Sequence, residues 1–153
     1  MQSLLMKISG KKPLKKSNKT LAIDFIEHSH FQGFDQTTIN YITKNKNKKS
    51  IEITDYIFPL VKLTESKYQI KDHINLSGYN PLKGPQFISL TNIYNSKKGI
   101  VVVGLKEGVV PNDHEKKVLL KAGVKAYCYN LVPTVILAAS LGLKIKAFGI
   151  VKI

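Results

Sequence analysis

The sequence contains no arginine; all 24 of its basic residues are lysine. Lysine offers a mobile point charge, whereas arginine supplies the planar fork that grips phosphate or guanine through two parallel hydrogen bonds. Modules that read nucleic-acid sequence lean on that fork. Acidic residues are also few, 10 in all, which leaves a net charge of +14. With Lys, Asn and Ile all abundant, the excess reads first as an AT-biased coding sequence with a solvated lysine surface. Any nucleic-acid contact is expected to be nonspecific and salt-sensitive. There is one cysteine, Cys128, which excludes an intramolecular disulfide and fits a reducing, cytoplasmic setting. Between Tyr127 and Tyr129 in a predicted buried strand, it reads as an inert core thiol. No apolar run is long enough to cross a bilayer. The short apolar patch in Met1–Ile8 has its lysines mainly on the wrong side for a signal peptide. Neither a glycine-rich phosphate loop nor a Gly-x-Ser-x-Gly elbow occurs. His28 and His30 would share one face of a strand, but beyond Glu27 no further ligand lies at metal spacing, so no metal is expected.

What is present is a chain of 153 residues with 43% hydrophobic content, enough for one domain with a real core. Residues 1–19 carry six lysines with Gly10 and Pro13 and read as a basic, flexible N-terminal arm, leaving 20–153 as the folded domain. Leu21–Ile26, Ser50–Asp55, Tyr68–Asp72, Lys125–Tyr129 and Lys144–Ile153 read as strands. The β-branched run from Gly99 to Gly104 reads as a strand buried on both faces. Asp35–Thr43 reads as a helix with Asp35 as its N-cap. Asn112 with Glu115 forms a capping box opening a helix that Gly123 closes. Pro133 suits the first turn of a helix that Gly142 ends. The alternation predicts a single α/β domain with a central mixed, mostly parallel sheet flanked by helices.

One stretch is more specific. Asp72-His73-Ile74-Asn75-Leu76-Ser77-Gly78-Tyr79-Asn80-Pro81-Leu82-Lys83-Gly84-Pro85 is dense in turn formers. It resembles the Asp-His-Ile-Asn-Leu-x-Gly…Asn-Pro-Leu-x-Gly-Pro signature of the low-molecular-mass, trimeric purine nucleoside phosphorylases. Weaker similarity runs through Glu115–Gly123, Val132-Pro133 and Gly142-Leu143, and upstream through His30–Phe34. In that family the signature loop shapes a subunit contact and the mouth of the nucleoside site. The resemblance therefore implies a nucleoside-phosphorylase-like fold and an assembly loop on Asp72, His73, Asn75, Gly78, Asn80, Pro81, Gly84 and Pro85. It also implies a homo-oligomer, with a trimer as its expected form.

The family's chemistry maps poorly onto the chain. Phosphorolysis needs an anion cradle, a grip on the purine, and a stabiliser for the departing base. The family's Gly-Ser-Gly loop has no counterpart around Asp24–Glu27. Its cradle arginine falls at His28, its histidine at His30 and its serine at Asn130, which are the phosphate-binding candidates. The small Asn-Ala-Ala-Gly-Gly turn becomes Asp55-Tyr56-Ile57-Phe58-Pro59, bulky enough to fill the pocket. The methionine under the ribose falls at Tyr129, which with Tyr79 and Asp113 makes up the nucleoside-binding candidates. The purine-holding glutamate falls at Pro111, with Asp113 or Glu115 as substitutes should the register shift. The base-donating asparagine falls at Ile153, the last residue, and the family's C-terminal helix would lie beyond it.

These substitutions imply a shortened, degenerate member: an inactive homologue retained as a binding or assembly scaffold, with a weak nucleoside or phosphate ligand and no cofactor. The alternative is an active phosphorylase with an altered site, converting nucleoside and phosphate to base and pentose 1-phosphate, with phosphate as co-substrate. A third class is a basic polyanion-binding domain using Lys7–Lys19 and Lys44–Lys49.

Overall fold

The computed structural model describes residues 19–26, 31–79, 93–94 and 96–152. The basic arm falls almost wholly outside these residues, as do His28, His30, Asn80, Pro81, Gly84, Pro85 and Ile153. The described elements are β1 (Thr20–Asp24), α1 (Gln36–Lys44), β2 (Ser50–Pro59), β3 (Lys67–Leu76), β4 (Ile100–Leu105), α2 (Asp113–Lys121), β5 (Val124–Cys128), α3 (Leu131–Ser140) and β6 (Lys144–Val151).

Local chemistry sets the helix starts. The Asp35 side chain accepts from the Thr38 N–H at 3.1 Å, so α1 begins where its N-cap dictates. At α2, Asn112 accepts from the Glu115 N–H and Glu115 accepts from the Asn112 N–H, each at 2.8 Å. Helix α3 is different. Every residue from Leu131 to Ala138 is buried, as expected of a helix that is apolar all round.

The sheet is mixed, but it closes into a barrel instead of lying open between helices. Strands β1, β2 and β6 are mutually parallel, as are β3, β4 and β5. The two groups join antiparallel at both seams, β2 with β5 and β3 with β6. Going round, the order is β2-β5-β4-β3-β6 and back to β2, with β1 added beside the first half of β2. Closure gives each of these five strands a partner on both sides, while β1 pairs with β2 alone among the described strands. The β2–β5 seam is short, pairing Phe58 with Tyr127 and Pro59 with Ala126. It is reinforced by stacking of Phe58 on Tyr127, centroids 5.1 Å apart.

Two sequence expectations change here. Residues 55–59 are not a turn: β2 continues through them, because the alternation of Ile51, Ile53 and Ile57 keeps one face buried to the strand's end. The first five residues of the signature are likewise not loop, since Asp72–Leu76 form the last half of β3 and pair with Val101–Leu105.

The core has two parts. The larger packs α3 and α1 against β1, β2 and β6 through Ile23, Ile42, Ile53, Val132 and Ile145, among others. The smaller lies under α2, from Val103, Leu105, Leu119 and Val124. Strand β4 serves both, Val102 on one face and Val103 on the other, as its continuous apolar run implies. Gly104 lets α3 approach: a Cβ there would fall 2.5 Å from the Val132 Cβ. Among the described residues, no helix is long and apolar enough to cross a membrane.

Candidate functional site

Parallel strands β3, β4 and β5 end at Leu76, Leu105 and Cys128. Ligands of α/β sheets favour the carboxyl ends of parallel strands. Two features occupy this end of the barrel: the start of α3 and an apolar cleft beside α2.

The start of α3 is built by the β2–β5 seam. Phe58 lies opposite Tyr127, and the same register carried along the chain puts Asp55 opposite Asn130, where β5 gives way to the helix. Asp55 follows the inward phase of Ile51, Ile53 and Ile57 and is only 3% exposed. Its Oδ1 accepts from the Tyr56 N–H at 2.8 Å. Its Oδ2 accepts from the N–H groups of Asn130 and Leu131 at 3.1 and 3.0 Å. Burial pushes its carboxyl up to about 7, against the pull of these three bonds and one from the Asn130 side chain.

Asn130, a phosphate-binding candidate by the resemblance, lies at this helix start with its side chain engaged. Its Oδ1 accepts from the Phe34 N–H at 3.1 Å, and its carbonyl accepts from the Thr134 hydroxyl at 2.7 Å. Phe34 in turn meets Tyr79 edge to face, centroids 4.7 Å apart. The structure thus brings Asp55, Asn130, Phe34 and Tyr79 together. Desolvation raises the pKa of the Tyr79 phenol. Tyr79 is tethered by its own turn: its carbonyl accepts from Asn75 Nδ2 at 3.0 Å, while Asn75 Oδ1 accepts from the Ser77 N–H. Gly78, at φ 84°, supplies the left-handed residue this turn requires.

The cleft lies apart, lined by Leu76, Leu105, Val109, Pro111, Val118 and Leu119 with His114 and Glu115 at its rim, about 280 Å³ in volume. Pro111 is buried in its wall. Glu115 is committed to the capping box. Asp113 is exposed in the first turn of α2, where its charge suits the helix N-terminus. Tyr129 packs near Phe58 and Tyr127 and donates its hydroxyl to the Val109 carbonyl at 2.8 Å. Tyr129 and Asp113 therefore belong to the cleft's surroundings, and the Tyr129 hydroxyl is taken up by the chain.

Two further groups were singled out by sequence. His73 Nδ1 is 2.7 Å from the Tyr94 hydroxyl, and its Nε2 is buried without a hydrogen-bond partner among the described residues. Burial lowers its pKa while Asp72 raises it. Cys128 is fully buried and its thiol pKa is pushed well up, chiefly by burial and then by the charge of Asp55. Lys19, Lys44, Lys48 and Lys49 line a separate polar cleft with Asn45 and Asn47. Among the described residues, no three His, Cys, Asp or Glu side chains group to hold a metal ion.

Sequence reasoning missed Asp55 as a functional group. The available signal was a carboxylate in the buried phase of a strand, a costly placement that demands partners.

No protein-family model matches the chain, and none of the curated proteins does. Among solved structures it is similar to the purine nucleoside phosphorylase of Schistosoma mansoni in complex with BCX-34. That likeness has a TM-score of 0.63 and 20% identity, over 78% of this chain and 56% of that one. A schistosoma purine nucleoside phosphorylase in complex with hypoxanthine gives a TM-score of 0.62 and 21% identity, over 77% of this chain and 53% of that one. The likeness shows a purine-nucleoside-phosphorylase-like fold, and the chain spans little more than half the length of those structures.

Proposed function

We propose that this chain is a purine nucleoside phosphorylase homologue without phosphorolytic activity, retained as a binding or assembly scaffold. The observation that carries this reading is the cleft beside α2. The position matched to the family's purine-holding carboxylate is Pro111, buried in an apolar wall, and the neighbouring Glu115 carboxylate is spent on its own helix cap. A purine placed there would leave its polar edge unpaired in an apolar setting, which costs about 1–3 kcal/mol per group. A missing base acceptor removes transition-state as well as ground-state binding.

The scaffold role draws support from apolar surface at the same place. Leu76, at the end of β3, is 57% exposed, and Val118 on α2 is 67% exposed. Leu76 belongs to the signature stretch and both residues line the cleft, so a homo-oligomer, with a trimer as the expected form, would cover them. A cytoplasmic setting fits the single buried thiol.

The test is phosphorolysis of inosine and guanosine with phosphate, beside an active family member under the same conditions. No base release above the uncatalysed rate is expected. Measurable turnover that scales with protein concentration removes the inactive reading and restores the altered-site enzyme.

A further inference from the structure

The start of a helix carries N–H groups with no partner inside the helix and a partial positive charge, so it attracts an anion. At α3 the position is already filled, and the chain itself fills it. The N-cap residue, Asn130, makes no side-chain cap of its own. The cap is the Asp55 carboxylate, 75 residues earlier, taking the N–H groups of Asn130 and Leu131 on one oxygen and that of Tyr56 on the other. It is held there by the register of the β2–β5 seam and by the buried phase of β2. What acts on it is burial and hydrogen bonding, with no cation contributing among the described residues. Among the described residues, the buried Cys128 thiol lies close enough to feel its charge.

We propose that the Asp55 carboxyl group fills the α3 N-terminus in place of a free oxyanion such as inorganic phosphate, and so closes that position to ligands. Its placement stands on geometry alone; naming phosphate as the displaced anion rests on the phosphorylase-like reading above. A phosphate at this helix start would need the same N–H groups. It would also sit within contact distance of a buried carboxylate, where repulsion is only weakly screened. Swinging Asp55 away instead would leave a buried carboxyl group without its three N–H partners.

The proposal predicts opposite responses to phosphate with and without the carboxylate. In wild-type protein at pH 8 and fixed ionic strength, phosphate should leave the amide resonances of Tyr56, Asn130 and Leu131 unmoved in ¹⁵N–¹H spectra. The Asp55→Ala variant empties the position and leaves three N–H donors facing it. Its unfolding midpoint should rise saturably with phosphate, by about 3–6 °C at tenfold excess over the dissociation constant, with no such rise in chloride. Saturable movement of those three amides in the wild type overturns the proposal. So does a folded Asp55→Ala variant that phosphate does not stabilise. If that variant fails to fold, the wild-type titration decides alone. Turnover of inosine with these amides still silent would sink the inactive reading and leave Asp55 in place. Saturable shifts without turnover would do the reverse.

Discussion

The buried carboxylate of Asp55 makes stability depend on pH in an unusual direction. Its carboxyl rises from 3.8, the value of an unperturbed group, to about 7 in the fold, because burial outweighs the hydrogen bonds that favour the charged form. Between those values the folded chain holds a proton that the unfolded chain has lost. Folding stability then falls as pH rises, by up to about 1.4 kcal/mol per pH unit and about 4 kcal/mol in total. The contribution is complete below pH 3.8, lost as pH climbs to about 7, and flat above. Urea unfolding from pH 4 to 8, on wild type and Asp55→Asn, isolates it, since the amide keeps the shape and cannot titrate. The stability of wild type minus variant should decline steadily to about pH 7 and then level. A difference that is flat, or that rises with pH, would refute the reasoning. A flat difference would show the three N–H donors offsetting burial, and a rising one would show them outweighing it and holding the carboxyl low.

Two further predictions concern the scaffold. Gly104→Ala places a Cβ 2.5 Å from the Val132 Cβ and should lower stability by about 1–3 kcal/mol. An unchanged urea midpoint would mean that α3 does not sit this closely on β4. Asn112→Ala removes half of the α2 capping box and should cost about 1 kcal/mol. Adding Glu115→Ala should then cost less than Glu115→Ala alone, and full additivity in the double-mutant cycle would contradict the reciprocal cap.

Much of the fold was legible because it is local. Asp35 and the Asn112–Glu115 pair mark helix starts through bonds to N–H groups only three residues away. The β4 run reads as doubly buried because Val102 and Val103 face different parts of the core. Barrel closure was not legible, since one seam rests on two residue pairs joining chain positions nearly seventy apart. Residues 55–59 read as a turn only through their match to the family's small Asn-Ala-Ala-Gly-Gly turn. Their own alternation, which carries the buried face of Ile51 and Ile53 on to Ile57, makes them strand instead. Of the candidate site residues, Asn130 meets the Asp55 carboxyl group through its N–H. The role of Asp55 itself was hidden, since nothing in the chain near it announces a partner 75 residues on.

The most direct measurement is a crystal soaked with guanine and phosphate at neutral pH. The account predicts the Asp55 carboxylate still bonded to the N–H groups of Tyr56, Asn130 and Leu131, no phosphate at the α3 start, and no purine held beside Pro111. Phosphate density against Asn130 and Leu131 with Asp55 turned away, and guanine bonded by Asp113 or Glu115, would contradict it.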